Sequence, residues 1–352
     1  MNLSNQQILN PFFKDKQSVW LVTGAAGFIG SHLTENLLKF NQKVIAVDNF
    51  SNGKRENLEK IKLSVGEKLF SNLTFYQGDI TDKNFCDSLF NGVDYCLHQA
   101  ALGSVPKSIE DPIKWNEHNI TGTLNIFYSA MQSKSIKGFV YASSSSVYGD
   151  HPDLPKVEEK TGKPLSPYAA SKYANELYAN TFNVCYRFPT VGLRYFNVFG
   201  PRQDPQGVYA AVIPKWISMM LNGEQCIING DGTTSRDFCF IDNVVQANIL
   251  GALKCSLLNE STVFNVGVGD NTNLNQLHAM LASIIEEDTG NKVASPRYEV
   301  FREGDIKHSL ASIDAIKNKL QYQPTHRILE GLKITVKDYI FSLHQSTKLS
   351  SC

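Results

Sequence analysis

A tyrosine and a lysine four residues apart, Tyr168 and Lys172, stand behind a run of four serines, Ser143 to Ser146. A phenol can carry a proton to and from an alcohol, but an ordinary tyrosine with a pKa near 10 is only about one part in a thousand ionised at neutral pH. Lowering that pKa by roughly 3 units takes about 4 kcal/mol of differential stabilisation. A lysine one helical turn away, the positive end of a helix dipole and a cationic ligand ring are groups that supply it. Ser166 and Pro167 read as an N-cap and a first helical residue, which puts Tyr168 and Lys172 on one helix face. Taken alone, Tyr-x-x-x-Lys is more often a plain amphipathic face, so its chemical reading depends on what the chain builds around it.

What positions the pair is legible further up the chain. A short apolar run, Val19 to Val22, leads into Thr23-Gly-Ala-Ala-Gly-Phe-Ile-Gly30, then an amphipathic helix to about Phe40 and a second strand, Val44 to Val47, that ends in Asp48. Gly24, Gly27 and Gly30 are spaced one residue wider at the first gap than the common dinucleotide fingerprint, but they do the same work. Glycines let the backbone approach a pyrophosphate, and the following helix offers it unpaired N–H groups and a positive dipole end. Asp48 stands where a carboxylate accepts both ribose hydroxyls and repels a 2′-phosphate, which favours NAD over NADP. A lone glycine motif is equally a tight turn; strand, motif, helix, strand and acid in this order make the turn reading a minor one. Candidate cofactor contacts are Gly24, Gly27, Phe28, Ile29, Gly30, Asp48 and Asn49, with Asp79 and Ile80 after the third strand, Gln99, Ala100 and Ala101 after the fourth, and Asn119 beyond.

Strand and helix patterns go on alternating through Leu73 to Gln77, Val93 to His98, Phe139 to Ser143 and Val191 to Tyr195, which predicts an α/β doubly wound parallel (Rossmann) sheet. After about Gly200 prolines and glycines break the pattern, and a smaller, partly interwoven substrate domain is expected. The expected division is an extension over 1–18 with helical character, an NAD-binding domain over 19–200 plus about 237–268, and a substrate-binding domain over 201–236 and 269–345. Thr262 to Val266 reads as one more strand, and Leu274 to Glu287 and Arg327 to Leu343 as helices.

Composition narrows the partners. In 352 residues, Lys plus Arg and Asp plus Glu both number 34, so no basic surplus exists to favour nucleic acid. The seven cysteines are scattered with no Cys-x-x-Cys pair, which fits reduced thiols in a cytoplasmic protein better than a disulfide frame or zinc site. The first eighteen residues are polar, no apolar run is long enough to span a bilayer, and the tail at Cys352 is no prenylation box, so no membrane partner is expected. Eight histidines, His98 and His308 among them, do not cluster at ligand spacing, and no metal is assigned.

From Val19 to about Leu343 the chain resembles the extended short-chain dehydrogenase/reductases, through the glycine turn, Ser-Ser-Ser-Ser-Val-Tyr-Gly and Tyr168-Ala-Ala-Ser-Lys172. The resemblance implies a catalytic Ser, Tyr and Lys. The hydroxyl three residues before the Val of Val-Tyr-Gly is Ser144, with Ser145 and Ser146 as possible substitutes. Sugar-nucleotide dehydratases carry Asp-Glu after that hydroxyl and the related decarboxylases keep the Glu; Ser145 and Ser146 stand there instead, leaving oxidation and reduction at one carbon.

The substrate side resembles UDP-hexose 4-epimerases. Asn197 in Leu-Arg-Tyr-Phe-Asn-Val-Phe-Gly, Val212, Arg236 in Thr-Ser-Arg-Asp, and Arg302 with Asp305 in Arg-Glu-Gly-Asp are the implied UDP-sugar contacts, two guanidiniums for a diphosphate and a carboxylate for ribose hydroxyls. Ser309 takes the place of a tyrosine that is bulky in glucose/galactose-restricted members, which leaves room for a 2-acetamido group. Gly103, Ser104 and Val105, after strand four, are expected in the same pocket. His98-Gln-Ala-Ala-Leu-Gly-Ser-Val-Pro and His308-Ser309-Leu310 are most similar to bacterial UDP-N-acetylglucosamine 4-epimerases of surface-polysaccharide synthesis. The implied reaction is reversible interconversion of UDP-N-acetylglucosamine and UDP-N-acetylgalactosamine through a 4-keto sugar, by a protein that commonly dimerises. The alternatives are the same chemistry on UDP-glucose or uronic-acid forms, and a non-catalytic NAD-sensing protein on the same fold.

Overall fold

The computed structural model describes residues 3–14, 16–205, 210–301 and 307–349. Seven parallel strands form its central sheet: β1 (Val19–Thr23), β2 (Lys43–Asp48), β3 (Leu73–Gln77), β4 (Tyr95–His98), β5 (Gly138–Ser144), β6 (Val191–Tyr195) and β7 (Thr262–Val266). Their order across the sheet is β7-β6-β5-β4-β1-β2-β3. The chain runs outward from β1 to β3, then returns to the other side of β1 at β4. The crevice beyond the C-terminal ends of β1 and β4 is therefore the switch point where such sheets hold ligands.

Helices cover both faces, as a parallel sheet buried on both sides requires. They include α1 (Asn5–Phe13), α2 (Phe28–Lys39), α3 (Arg55–Phe70), α4 (Gly122–Gln132), α5 (Pro167–Tyr186) and α6 (Ile241–Leu258). The strands are apolar and nearly continuous: Trp20, Leu21 and Val22 in β1 and Val191 and Leu193 in β6 are fully buried. β3, β6 and β7 span the predicted residues; β4 begins two residues later than predicted because Asp94 turns inward, its Oδ2 accepting from Val19 N at 2.8 Å. The residues before β1 are more than an extension. Ser4 caps α1 through a capping box, and Leu9 is wholly buried.

Ile241–Leu258 and Thr262–Val266 return to the central sheet after an excursion through the helix Val212–Leu221 and the short strands Ile227–Asn229 and Ser235–Arg236. The six described cysteines are free thiols, five of them buried. Among the described residues no helix is long and apolar enough to cross a membrane.

Candidate functional site

A cleft of about 720 Å³ opens at the β1/β4 switch point, in the size range of small-molecule sites. Its floor is the glycine turn. Gly24 sits at φ +68°, and a Cβ there would lie 2.9 Å from Ala100 N. A Cβ on Gly30 would lie 2.0 Å from Gly24 O, so both positions admit only glycine. α2 starts at Gly27 with no side-chain cap, leaving the N–H groups of its first turn for a ligand. Asp48, at the end of β2, is held by N–H donors from Ala26 (2.9 Å) and Phe50 (2.7 Å), and burial pushes its pKa up against those bonds. These features fit a dinucleotide: an uncapped helix end for the pyrophosphate and a fixed carboxylate for a ribose.

Gly24, Gly27, Phe28, Ile29, Gly30, Asp48, Asn49, Ile80, Gln99, Ala100, Ala101, Gly103, Ser104, Tyr168 and Lys172 all line this cleft. Asp79 stands behind it, accepting from Asn49 Nδ2 at 2.7 Å. Burial pushes Asp79 up, yet its bonds from Thr81 and Asn49 prevail and hold it below the usual carboxylate value. Asn119 is placed differently from a cofactor contact. It lies in a π-helical turn, Glu117–Thr121, where its side chain accepts from Leu102 N (2.7 Å) and donates to Leu102 O (3.0 Å) and Ser171 Oγ (3.2 Å). It braces the loop after β4 against α5. His98 is a core residue bonded to Thr23 and Thr123 and kept neutral, burial pushing its pKa down to about 3.

The proton-handling groups meet at one edge of the cleft. α5 begins at Ser166, whose Oγ accepts from Ala169 N at 3.1 Å, and Tyr168 N donates to Ser108 Oγ at 3.1 Å, so two caps fix the phenol's first turn. Burial pushes the Tyr168 phenol above its usual pKa, and the neighbouring Ser144 hydroxyl offsets that only in part, so the phenol's pKa is not lowered here, contrary to what the sequence predicts. Lys172 departs from the expected contact. Its Nζ lies 6.0 Å from the centre of the Tyr168 ring and donates to Ala142 O at 2.9 Å, with burial pushing its own pKa down to about 8. The ammonium is drawn to a strand carbonyl, and Ser144 is the side chain that partly offsets the burial of the phenol. Ser146 supports Ser144, donating to its Oγ from both N (3.2 Å) and Oγ (3.0 Å). Ser145 opens the short 3₁₀ turn Ser145–Tyr148. Val105 begins the helix Val105–Glu110, and its carbonyl accepts from Ser108 Oγ at 2.6 Å.

A second cluster gathers three more of the expected residues. Asn197 Nδ2 donates to Asp237 O (3.2 Å), Asp237 N donates to Ser309 O (2.9 Å), and Ser309 N donates to Ser235 O (3.1 Å), next to Arg236. Arg236 itself reaches Ser235 O and Lys307 O. Val212 is apart from that ladder, opening the helix Val212–Leu221. Arg302 and Asp305 lie outside the described residues. The centre of the cluster is a residue not foreseen, Asp237. Its carboxylate accepts from Val268 N, Gly269 N and Ala311 N (2.9 to 3.3 Å), and burial raises its pKa to about 6. The signal available was its place directly after Arg236. Ser108, Glu176 and Arg194 were missed as well, being polar residues on otherwise ordinary elements.

Comparison with known proteins agrees with this geometry. The sequence profile of the NAD dependent epimerase/dehydratase family matches residues 20–267. A putative UDP-glucose 4-epimerase of Methanocaldococcus jannaschii is 35% identical over 318 residues, covering 90% of this chain and 96% of its own. Among solved structures, a UDP-N-acetylglucosamine 4-epimerase from Methanobrevibacter ruminantium M1, in complex with UDP-N-acetylmuramic acid, is 39% identical with a TM-score of 0.82, covering 92% of this chain and 98% of the other. A mutant UDP-glucuronic acid 4-epimerase from Bacillus cereus, in complex with NAD and a 4-deoxy-4-fluoro substrate analogue, is 30% identical with a TM-score of 0.78, covering 92% and 99%. With the glycine turn, the Ser144–Tyr168 pair and a profile match over most of its length, this chain belongs to the NAD dependent epimerase/dehydratase family.

Proposed function

We propose that this protein interconverts UDP-N-acetylglucosamine and UDP-N-acetylgalactosamine at C4. NAD is the cofactor and a UDP-sugar 4-epimerase the class of enzyme, as in relatives that cover 90 to 92% of the chain, one of them solved with NAD. When bound, NAD takes up and returns the hydride at C4. Tyr168 takes the proton of the 4-hydroxyl and gives it back to the 4-oxygen once the 4-keto sugar has turned over and its other face has been reduced. Ser144 hydrogen-bonds the phenol and the sugar oxygen, so the proton moves along one short path. Lys172, anchored to Ala142 O, holds the nicotinamide ribose and keeps a positive charge near the phenol. Asn197, Arg236 and Ser309, gathered around Asp237, are the contacts for the UDP-sugar, with Arg302 and Asp305 assigned the same role from sequence. The nucleotide must be held firmly for the sugar to turn.

The observation that carries epimerisation over dehydration is the serine run. Ser145 and Ser146 give hydroxyls where a dehydratase needs an acid and a base, and Ser146 is bonded to Ser144. The N-acetyl preference rests on Ser309, a small, half-exposed residue on the ladder beside Arg236, and is supported by the 39% identical UDP-N-acetylglucosamine 4-epimerase. Relatives that act on UDP-glucose and UDP-glucuronic acid supply the competing readings. Incubation with UDP-N-acetylglucosamine, UDP-glucose and UDP-glucuronic acid in separate reactions should give the 4-epimer fastest from the first. Ser309→Tyr should lower its kcat/KM by roughly 10–100-fold while leaving UDP-glucose within a few-fold, since a filled pocket excludes by shape. No epimer from the acetylated substrate, with NAD present, sinks the proposal.

A further inference from the structure

A short strap, residues 200–205, follows β6 and passes beside α2, and three contacts fasten it there. His32 Nε2 donates to Pro201 O at 2.9 Å, its ring kept neutral because burial and the charge of Arg202 push its pKa down to about 4. The Arg202 guanidinium pairs with Glu35 on α2. Lys54 Nζ lies 3.1 Å from Asp204 Oδ2, while Lys54 N donates to Ala26 O in the glycine turn at 3.0 Å.

Arg202 is the unusual member. Its side chain is 9% exposed, yet its Nη1 has neither a hydrogen-bond partner nor access to solvent. A guanidinium N–H left so is costly, and Arg202 is also held at φ +65°, a conformation arginine seldom adopts. Lys54, Arg202 and Asp204 line the same cleft as Gly27 and Phe28, where the uncapped first turn of α2 offers its N–H groups. A charge held by a carboxylate on one side and unsatisfied on the other, opposite a helix N-terminus, is complementary to a diphosphate.

We propose that the strap is a clasp on the dinucleotide: the Arg202 guanidinium, which lines the cleft, shifts toward it so that Nη1 gains the diphosphate as its acceptor across from α2, and the contacts to His32, Glu35 and Lys54 keep the clasp shut so that NAD stays bound from one turnover to the next. The inference rests on NAD as cofactor and not on the identity of the sugar. Strain in the backbone and an unpaired guanidinium N–H are then features of a site shaped for its ligand.

The test is NAD retention by the holoenzyme, without sugar. Protein purified with NAD bound is mixed with excess isotopically labelled NAD, and exchange is followed by mass spectrometry of the cofactor. Arg202→Met, which keeps the apolar stem, should exchange roughly 10–100-fold faster, as expected for losing charge-assisted bonds to a diphosphate. Lys54→Met, which opens only the exposed tether, should exchange about 2–5-fold faster. Wild-type exchange in Arg202→Met overturns the diphosphate contact, and wild-type exchange in Lys54→Met overturns the clasp. If Arg202→Met does not fold, Arg202→Lys, which keeps a charge for Glu35 but loses the second arm of the guanidinium, takes its place with the same readout, and Lys54→Met still tests the clasp because that pair is half-exposed at the surface. A protein that made no 4-epimer would still give either result, so this failure and that of the sugar assignment are told apart.

Discussion

Ser143 and Ser144 are neighbours at the end of β5, and both reach residues of α5. Ser143 lines the cleft and donates to Glu176 Oε1 at 2.5 Å, while Ser144 acts on the Tyr168 phenol. The serine run was plain in the sequence, and its family register singled out Ser144. What could not be read there was that Lys172 commits its ammonium to the Ala142 carbonyl and leaves Ser144 as the side chain acting on the phenol's pKa, because that depends on which acceptor the lysine reaches once α5 is docked. The consequence is measurable. Tyr168→Phe should lower kcat by about 10²–10⁴-fold, the usual range for a lost general acid–base. Ser144→Ala removes the group that partly offsets burial of the phenol, so its pKa rises further and less of the base form is present at neutral pH. A loss of roughly 10–100-fold at pH 7 is expected, partly recovered as pH rises, whereas Ser145→Ala should stay within a few-fold. Equal losses in the two serine variants would remove Ser144 from its assigned role.

At the scale of elements, α5 works as a ruler. Tyr168, Lys172 and Glu176 fall four residues apart on one face, and the third mark fixes the other two. Glu176 takes Arg194 of β6 in a bidentate pair, Nε–Oε1 at 2.9 Å and Nη2–Oε2 at 2.7 Å, with both side chains almost wholly buried. β5 and β6 are in register there, Ser143 opposite Arg194 and Ser144 opposite Tyr195, so one ion pair aligns helix, serine strand and cleft wall. Removing one partner leaves a buried charge uncompensated. Glu176→Met or Arg194→Met should therefore cost about 3–5 kcal/mol in urea unfolding, and the Glu176→Met/Arg194→Met double variant less than the sum of the singles. Additive losses would mean the pair acts as two separate residues. The strands themselves were legible from unbroken apolar runs, and the glycine turn from its spacing. Asp237 was not, because it joins stretches near 237, 268 and 311 that only the fold brings together.

At the scale of the whole molecule, the outward faces of α4 and α5 carry apolar side chains. Leu177 is 56% and Val184 65% exposed, and their spacing of seven puts both on one stripe, with Tyr178 and Tyr128 also exposed on these helices. The resemblance leads to a homodimer through paired helices, and this stripe is the surface we assign to it. Light scattering should give twice the chain mass for wild type and a monomer for Leu177→Asp/Val184→Asp; exposed substitutions of this kind leave a monomeric fold nearly unaffected. A wild-type monomer would refute the assignment.

The position of α1 has a consequence for how the chain comes off the ribosome. Asn5 Nδ2 donates to Asp242 O at 2.5 Å, and Asn5 Oδ1 accepts from Gln246 Nε2 at 2.8 Å and Thr325 Oγ1 at 3.1 Å. Phe13 at the far end of α1 stacks instead on Phe40 at 4.7 Å. At about 5–20 residues per second, the nascent helix can dock its last turn early but must wait tens of seconds for the partners of its first. The edge strand β7 is late for the same reason. Packing around the central sheet thus draws on residues far apart in sequence, and translation must pass Thr325 before the first turn of α1 finds its place.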